Sequence, residues 1–256
     1  MDAAASICEE LPQEVSSDAG KEIKDVLARR SDLSTFVVHL TRDANGQSAK
    51  DCLESIVRSW KIEAKNAYGS AAKKLTDESL NTESQKCVCF TETPLEYLYL
   101  LIGEIVGRKC DFGPFGVAVT KKLARKGGAN PVWYVDITPG YTWLMNPINK
   151  LIDQSIAAAE FDESLISKIT PFIEQMGTGN GYRKEFWWER EWRHVGDFEL
   201  PEHVILICPD ENGNHENFER LAQQAHHSAK CIDPDWGLEQ IIARLAGFDR
   251  GDVEIL

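Results

Sequence analysis

The stretch Tyr182 to His194, YRKEFWWEREWRH, places three of the seven tryptophans within six residues and sets a glutamate on each side of Arg190. In a strand, alternation would put Glu189, Glu191 and Arg193 on one face and Trp188, Arg190 and Trp192 on the other. The Trp face would then be core, and two carboxylates sharing the opposite face would mark a site, because buried carboxylates cost several kcal/mol unless paired and neighbouring ones raise each other's pKa. A helix is the alternative, since Glu185 and Glu189, like Trp188 and Trp192, are four apart. The aromatic content and the following Gly196 favour the strand.

The 256 residues suffice for one large domain or two small ones and for a core that buries about three quarters of the unfolded surface. No apolar run approaches the roughly 20 residues needed to span a bilayer, and the N-terminus, MDAAASICEELPQE, lacks the order of a signal peptide. A cytoplasmic location is expected. Seven irregularly spaced cysteines without an export signal predict free thiols. A net charge of −13 argues against non-specific binding to nucleic acid or to anionic membranes. Lys121, Lys122, Arg125 and Lys126 form a local basic patch that could contact a phosphate.

Residues 1–30 read as an N-terminal extension with a short helix over Ala19 to Arg30, and residues 31–256 as one domain. Strands are predicted at Thr35 to Leu40, Lys86 to Thr91, Phe115 to Thr120, Pro131 to Ile137 and His203 to Cys208. The third and fourth of these should pair as a hairpin across the basic loop. Helices are predicted over Gln47 to Trp60, from Pro94 to about Val106, and over Leu144 to Ala159, Ser164 to Gln175, Glu216 to Ala229 and Leu238 to Ala246. Residues 62–85 read as an exposed, weakly patterned region, and GTGNG at 177–181 as a hinge. Strands in neighbouring groups without regular βαβ alternation indicate an α+β class.

Nucleotide-loop, nucleophile-elbow and HExxH motifs are absent. DENGNHE at 210–216 begins like a calcium loop, but His215 replaces the required glycine, so it reads as a turn before a helix. His215, His226, His227 and Cys231 could in principle hold zinc, but adjacent histidines on a polar helix are more often solvated, and no metal is expected. Cys87 and Cys89 share a strand face and read as packing residues. His39, alternating with Val37, reads on its own as a satisfied core or edge histidine.

The ordered segments VVHLTR at 37–42, CFTETPL at 89–95, FGVAVTKK at 115–122, NPVWYVD at 130–136 and YRKEFWWEREWR at 182–193 resemble the AbiGi family of abortive-infection, phage-resistance proteins. That pattern in turn looks like a distant ADP-ribosyltransferase fold, as in DarT-like enzymes, whose split, mostly antiparallel β-sheet with flanking helices grips NAD⁺ as substrate. The resemblance implies Glu191 as catalytic carboxylate, Glu189 facing the acceptor, and His39 on a ribose. It also implies Leu40, Thr41, Thr91, Phe115 and Arg193 around the cofactor, with Phe115 standing where the pattern has Tyr. The chemistry is coherent: cleavage of the nicotinamide–ribose bond develops oxocarbenium character that a nearby carboxylate stabilises. A second implication is a non-catalytic member of the family, acting as antitoxin or partner of a co-encoded protein. On the enzymatic reading, Glu189, Glu191 and Arg193 should open on a cleft that also receives His39, with Trp188 and Trp192 packed beneath.

Overall fold

The computed structural model describes residues 30–256 except 107, 109, 180, 181 and 249–256, together with Ile23. The helix expected over Ala19 to Arg30 lies almost wholly outside the described residues. In chain order the elements are β1 (Phe36–Leu40), α1 (Ala49–Ser59), β2 (Lys61–Ile62), β3 (Asn66–Ala67), α2 (Ala72–Asp77), β4 (Lys86–Thr91), β5 (Gly116–Thr120), α3 (Lys121–Lys126), β6 (Asn130–Pro131), β7 (Trp133–Asp136), α4 (Met145–Ala157), α5 (Leu165–Ile169), β8 (Ile173–Gly179), β9 (Tyr182–Lys184), β10 (Glu191–Val195), β11 (Phe198–Glu199), β12 (His203–Ile207), α6 (Asn214–Gln224), β13 (Ser228–Ile232) and α7 (Leu238–Ala246). Short 3₁₀ segments run over Leu95–Leu101, Thr170–Phe172 and Trp187–Glu189.

The main sheet has the order β13-β12-β5-β1-β4-β10-β6, with β3 also paired to β4. Its pairings are antiparallel except β12 with β13, which α6 connects as a βαβ unit. A separate small sheet has the order β7-β8-β9. The class is therefore α+β with a mostly antiparallel sheet and flanking helices.

Alternation along the strands sorts the core into two sides. Val37, Phe90, Val117, Val119, Trp192 and Leu206 form one cluster with Leu53 and Val57 of α1 and Phe218 and Ala222 of α6. Val38, Leu40, Ala118, Ile205 and Ile207 face the other way, against Leu95, Leu98, Leu101 and Ile241. Leu53 is fully buried, a burial that stabilises by about 1.5–3 kcal/mol. Helix α1 starts where Ser48 and Asp51 cap each other's backbone N–H groups.

Several boundaries differ from the sequence reading for identifiable reasons. The run LEYLYLL is 3₁₀ because its buried leucines recur every third residue, the period at which 3₁₀ side chains eclipse. Helix α5 stops at Ile169, and Pro171 leads instead into β8, so Ile173–Gly179 is strand rather than helix and hinge. Likewise α6 ends at Gln224 and Ser228–Ile232 is strand. The expected hairpin is absent: β5 lies between β1 and β12, and the basic loop is helix α3. The segment expected as one strand over Pro131 to Ile137 divides at Val132, with β6 joining the main sheet and β7 the small one. The weakly patterned residues 62–85 contribute β2, β3 and α2.

Candidate functional site

The Trp-rich stretch is not one strand. It breaks at Arg190, whose φ of 46° places it in the left-handed region after the 3₁₀ turn Trp187–Glu189. Alternation therefore restarts at Glu191 and no longer aligns Glu189 with it. Trp192 is buried as expected and donates its indole N–H to Glu92 at 2.8 Å. Trp188, expected beneath the site, is instead 42% exposed, because it precedes the break.

Arg193 is 2% exposed and lies on the face opposite Trp192, where the main sheet meets the segment entering the small one. It donates to Glu191 at 2.8 and 2.9 Å, to Glu174 of β8 at 2.5 Å and to the Pro171 carbonyl at 2.7 Å. The Tyr68 ring lies 5.2 Å from its guanidinium carbon. Burial alone would raise the Glu174 pKa, but Arg193 and Lys184, which also binds it, outweigh that and hold it below the usual carboxylate value. A charge this deep requires such a partner set.

Glu189 contrasts with its neighbour. Burial pushes its carboxyl up to about 7; Arg108 opposes the rise and Glu191 adds to it. Its Oε1 and Nε and Nη1 of Arg108 are buried without a hydrogen-bond partner. Burial likewise raises the Tyr134 phenol, with Glu191 and Glu189 contributing. Nearby, a cavity of about 960 Å³ is lined by Arg42, Asp43, Tyr68, Asp111, Phe112 and Phe115, among others.

The expected convergence of His39 and Glu191 does not occur. Val38 and Glu191 both pair with Thr91, which puts these three on one face and His39 on the other. The His39 ring instead meets Phe90 edge-on, on the Trp192 side. Burial lowers its pKa, and Nδ1 bonds the Cys89 carbonyl at 2.8 Å. This contact fills a gap, because β1 pairs with the Thr91 end of β4 and β3 with its Cys87 end.

The remaining expected site residues are dispersed. Leu40 is buried core. The Thr41 hydroxyl donates to the Ala49 and Phe115 carbonyls, and that of Thr91 donates to the Glu189 carbonyl at 2.7 Å. Phe115 lines the cavity. Arg42, Tyr68, Arg108, Tyr134 and Glu174 escaped the sequence reading. For Tyr68 the adjoining glycine was a signal: Gly69 has φ +91°, and an added Cβ would lie 2.0 Å from the Thr170 carbonyl oxygen.

Fold and site together define an α+β protein in which two sheets meet over a buried arginine paired with two carboxylates, Glu191 and Glu174. The chain belongs to the AbiGi family: residues 54–223 match the family described as "Putative abortive phage resistance protein AbiGi, antitoxin". The match includes CFTETPL, FGVAVTKK, NPVWYVD and the Trp-rich stretch, while VVHLTR precedes it. No curated protein and no solved structure matches the chain. Among the described residues, no helix is long and apolar enough to cross a membrane and no group of three or more His, Cys, Asp or Glu could hold a metal ion.

Proposed function

We propose that this chain serves phage resistance as an antitoxin that silences a co-encoded toxin protein by direct contact. The observation that carries this reading is a set of exposed aromatic side chains on and next to the small sheet. Trp133, Tyr141, Trp143 and Trp187 are 57–77% exposed, on β7, on the turn after it and on the 3₁₀ turn that follows β9. Exposed Trp and Tyr in such number are unusual on a surface that faces only water, and these residue types dominate the binding energy of protein interfaces. The net charge of −13 supplies steering toward a basic partner. The test is to titrate the toxin encoded beside this chain into purified wild type and into Trp143→Ala/Trp187→Ala. Tight binding that the double variant loses supports the proposal, and equal affinity removes this surface from it.

A second reading rests on two neighbouring carboxyls in different surroundings. Glu191 is ion-paired with Arg193, while burial pushes the Glu189 carboxyl up to about 7, and glycosidic cleavage uses a pair of carboxyls in such unlike environments. Under it, the meeting of the two sheets is an ADP-ribosyltransferase-like cleft and NAD⁺ its substrate, with Phe115 on the nucleotide side and His39 in a structural role. Direct contact leads because Arg193 engages both oxygens of Glu191. Nicotinamide release from NAD⁺ that Glu191→Gln abolishes would reverse that order.

A further inference from the structure

Arg190 has φ 46° and ψ 55°, a left-handed conformation that glycine adopts freely and an arginine only against the crowding of its Cβ. A strained residue persists where its surroundings hold it, and such residues collect at functional sites. Here the surroundings are specific. Arg190 Nη1 donates to the Asp32 carbonyl at 2.6 Å and Nη2 to the Asp32 carboxylate at 3.3 Å. Nη1 also lies 3.8 Å from Oε1 of Glu92. Glu92 is itself fixed: it pairs with Lys121 at 2.6 Å, accepts from the buried Trp192 indole and donates its backbone N–H to the Arg190 carbonyl at 3.2 Å.

Arg190 thus ties together the segment leading into β1, the end of β4 and the start of β10. It also closes the turn ahead of it. The Arg190 N–H donates to the Trp187 carbonyl at 3.2 Å, and the Glu189 carbonyl accepts from the Thr91 hydroxyl at 2.7 Å. Trp187 and Trp188 on that turn remain exposed. Two adjacent indoles facing water on a turn fastened at its base form a preorganised contact, one that a partner can take with little further ordering of the chain. We propose that Arg190 is a positioning residue for partner binding, holding the Trp187–Glu189 turn through Asp32 and Glu92 so that Trp187 and Trp188 are presented to a protein surface. The role rests on the reading of the chain as a direct-contact antitoxin. It gives the segment before β1 a part in recognition, since Asp32 supplies the two acceptors nearest the guanidinium.

The experiment is calorimetric titration of the co-encoded toxin into the full chain as wild type, Arg190→Gly, Asp32→Lys and the double variant, with a melting curve for each. Glycine relieves the strain at position 190, so Arg190→Gly should melt close to wild type or above it and yet bind about fivefold more weakly or worse. Asp32→Lys sets an ammonium against the guanidinium and should weaken binding by a similar factor. The double variant should bind no more weakly than Arg190→Gly alone, because both changes break one clamp. Additive losses, or full affinity in Asp32→Lys beside a loss in Arg190→Gly, would mean that Arg190 touches the partner itself and overturn the positioning role. An Arg190→Gly protein that melts well below wild type would make the arginine a folding residue instead. A wild-type complex that all three variants keep overturns the role and leaves the antitoxin reading standing, whereas a wild type that forms no complex removes both.

Discussion

Glu191 and Arg193 lie two residues apart on one face of β10 and are joined at two points, Nε to one carboxylate oxygen at 2.8 Å and Nη2 to the other at 2.9 Å. The same guanidinium reaches Glu174 on the small sheet, so a single buried cation holds two sheets and two carboxylates together.

Removing that cation should therefore leave Glu191 without its partner and Glu174 with Lys184 alone. Breaking a buried pair costs about 3–5 kcal/mol, and Arg193→Met is expected to lose about that much in urea unfolding at pH 7. Part should return at pH 5, where the freed carboxylates protonate. Arg193→Lys should rescue little, because an ammonium cannot reproduce the forked contacts.

Glu189 sets a pH dependence of its own. Its folded pKa is raised to about 7, so its contribution to stability is full below the unfolded carboxylate range and is lost as pH rises through about 7. Glu189→Gln removes that loss. Melting curves of variant and wild type should nearly coincide at pH 5, and at pH 8 the variant should melt roughly 2–4 °C higher. A variant that melts lower at pH 8 would mean that the charged form is the one the fold prefers.

Gly69 is the tightest backbone approach behind Tyr68. With φ +91° and the Thr170 carbonyl 2.0 Å from any added Cβ, Gly69→Ala must move the turn away from α5 and β8. We expect a loss above about 2 kcal/mol in denaturant unfolding, together with a weakened contact between Tyr68 and Arg193.

These features were legible in the sequence to unequal degrees. KCVCFT and HVILIC are strands within one residue of expectation, because β-branched and apolar runs bounded by polar residues carry their own signal. The α+β class and the shared face of Glu191 and Arg193 were likewise visible. The left-handed Arg190 was not: nothing in EREWR marks a non-glycine residue for positive φ, yet that residue removes Glu189 from the strand. His39 and Glu191 diverge because a face depends on register, and the pairing of Val38 and Glu191 with the same Thr91 is a tertiary fact. Arg108 and Tyr134 come from segments far apart in sequence and carry no motif.

The aromatic surface can be separated from the fold. Trp143 is 77% exposed, so Trp143→Ala should change stability by no more than about 0.5 kcal/mol. If it anchors a partner, the same change should weaken toxin binding tenfold or more. Parallel unfolding and binding measurements on this variant distinguish a contact residue from a folding one.

The most direct measurement is calorimetric titration of the co-encoded toxin into wild type, Glu191→Gln and Trp143→Ala/Trp187→Ala. Direct neutralisation predicts a tight complex for wild type, retained by any Glu191→Gln protein that folds and lost by the tryptophan variant. Absence of a wild-type complex, with toxin activity still suppressed in cells only when Glu191 is intact, would contradict it.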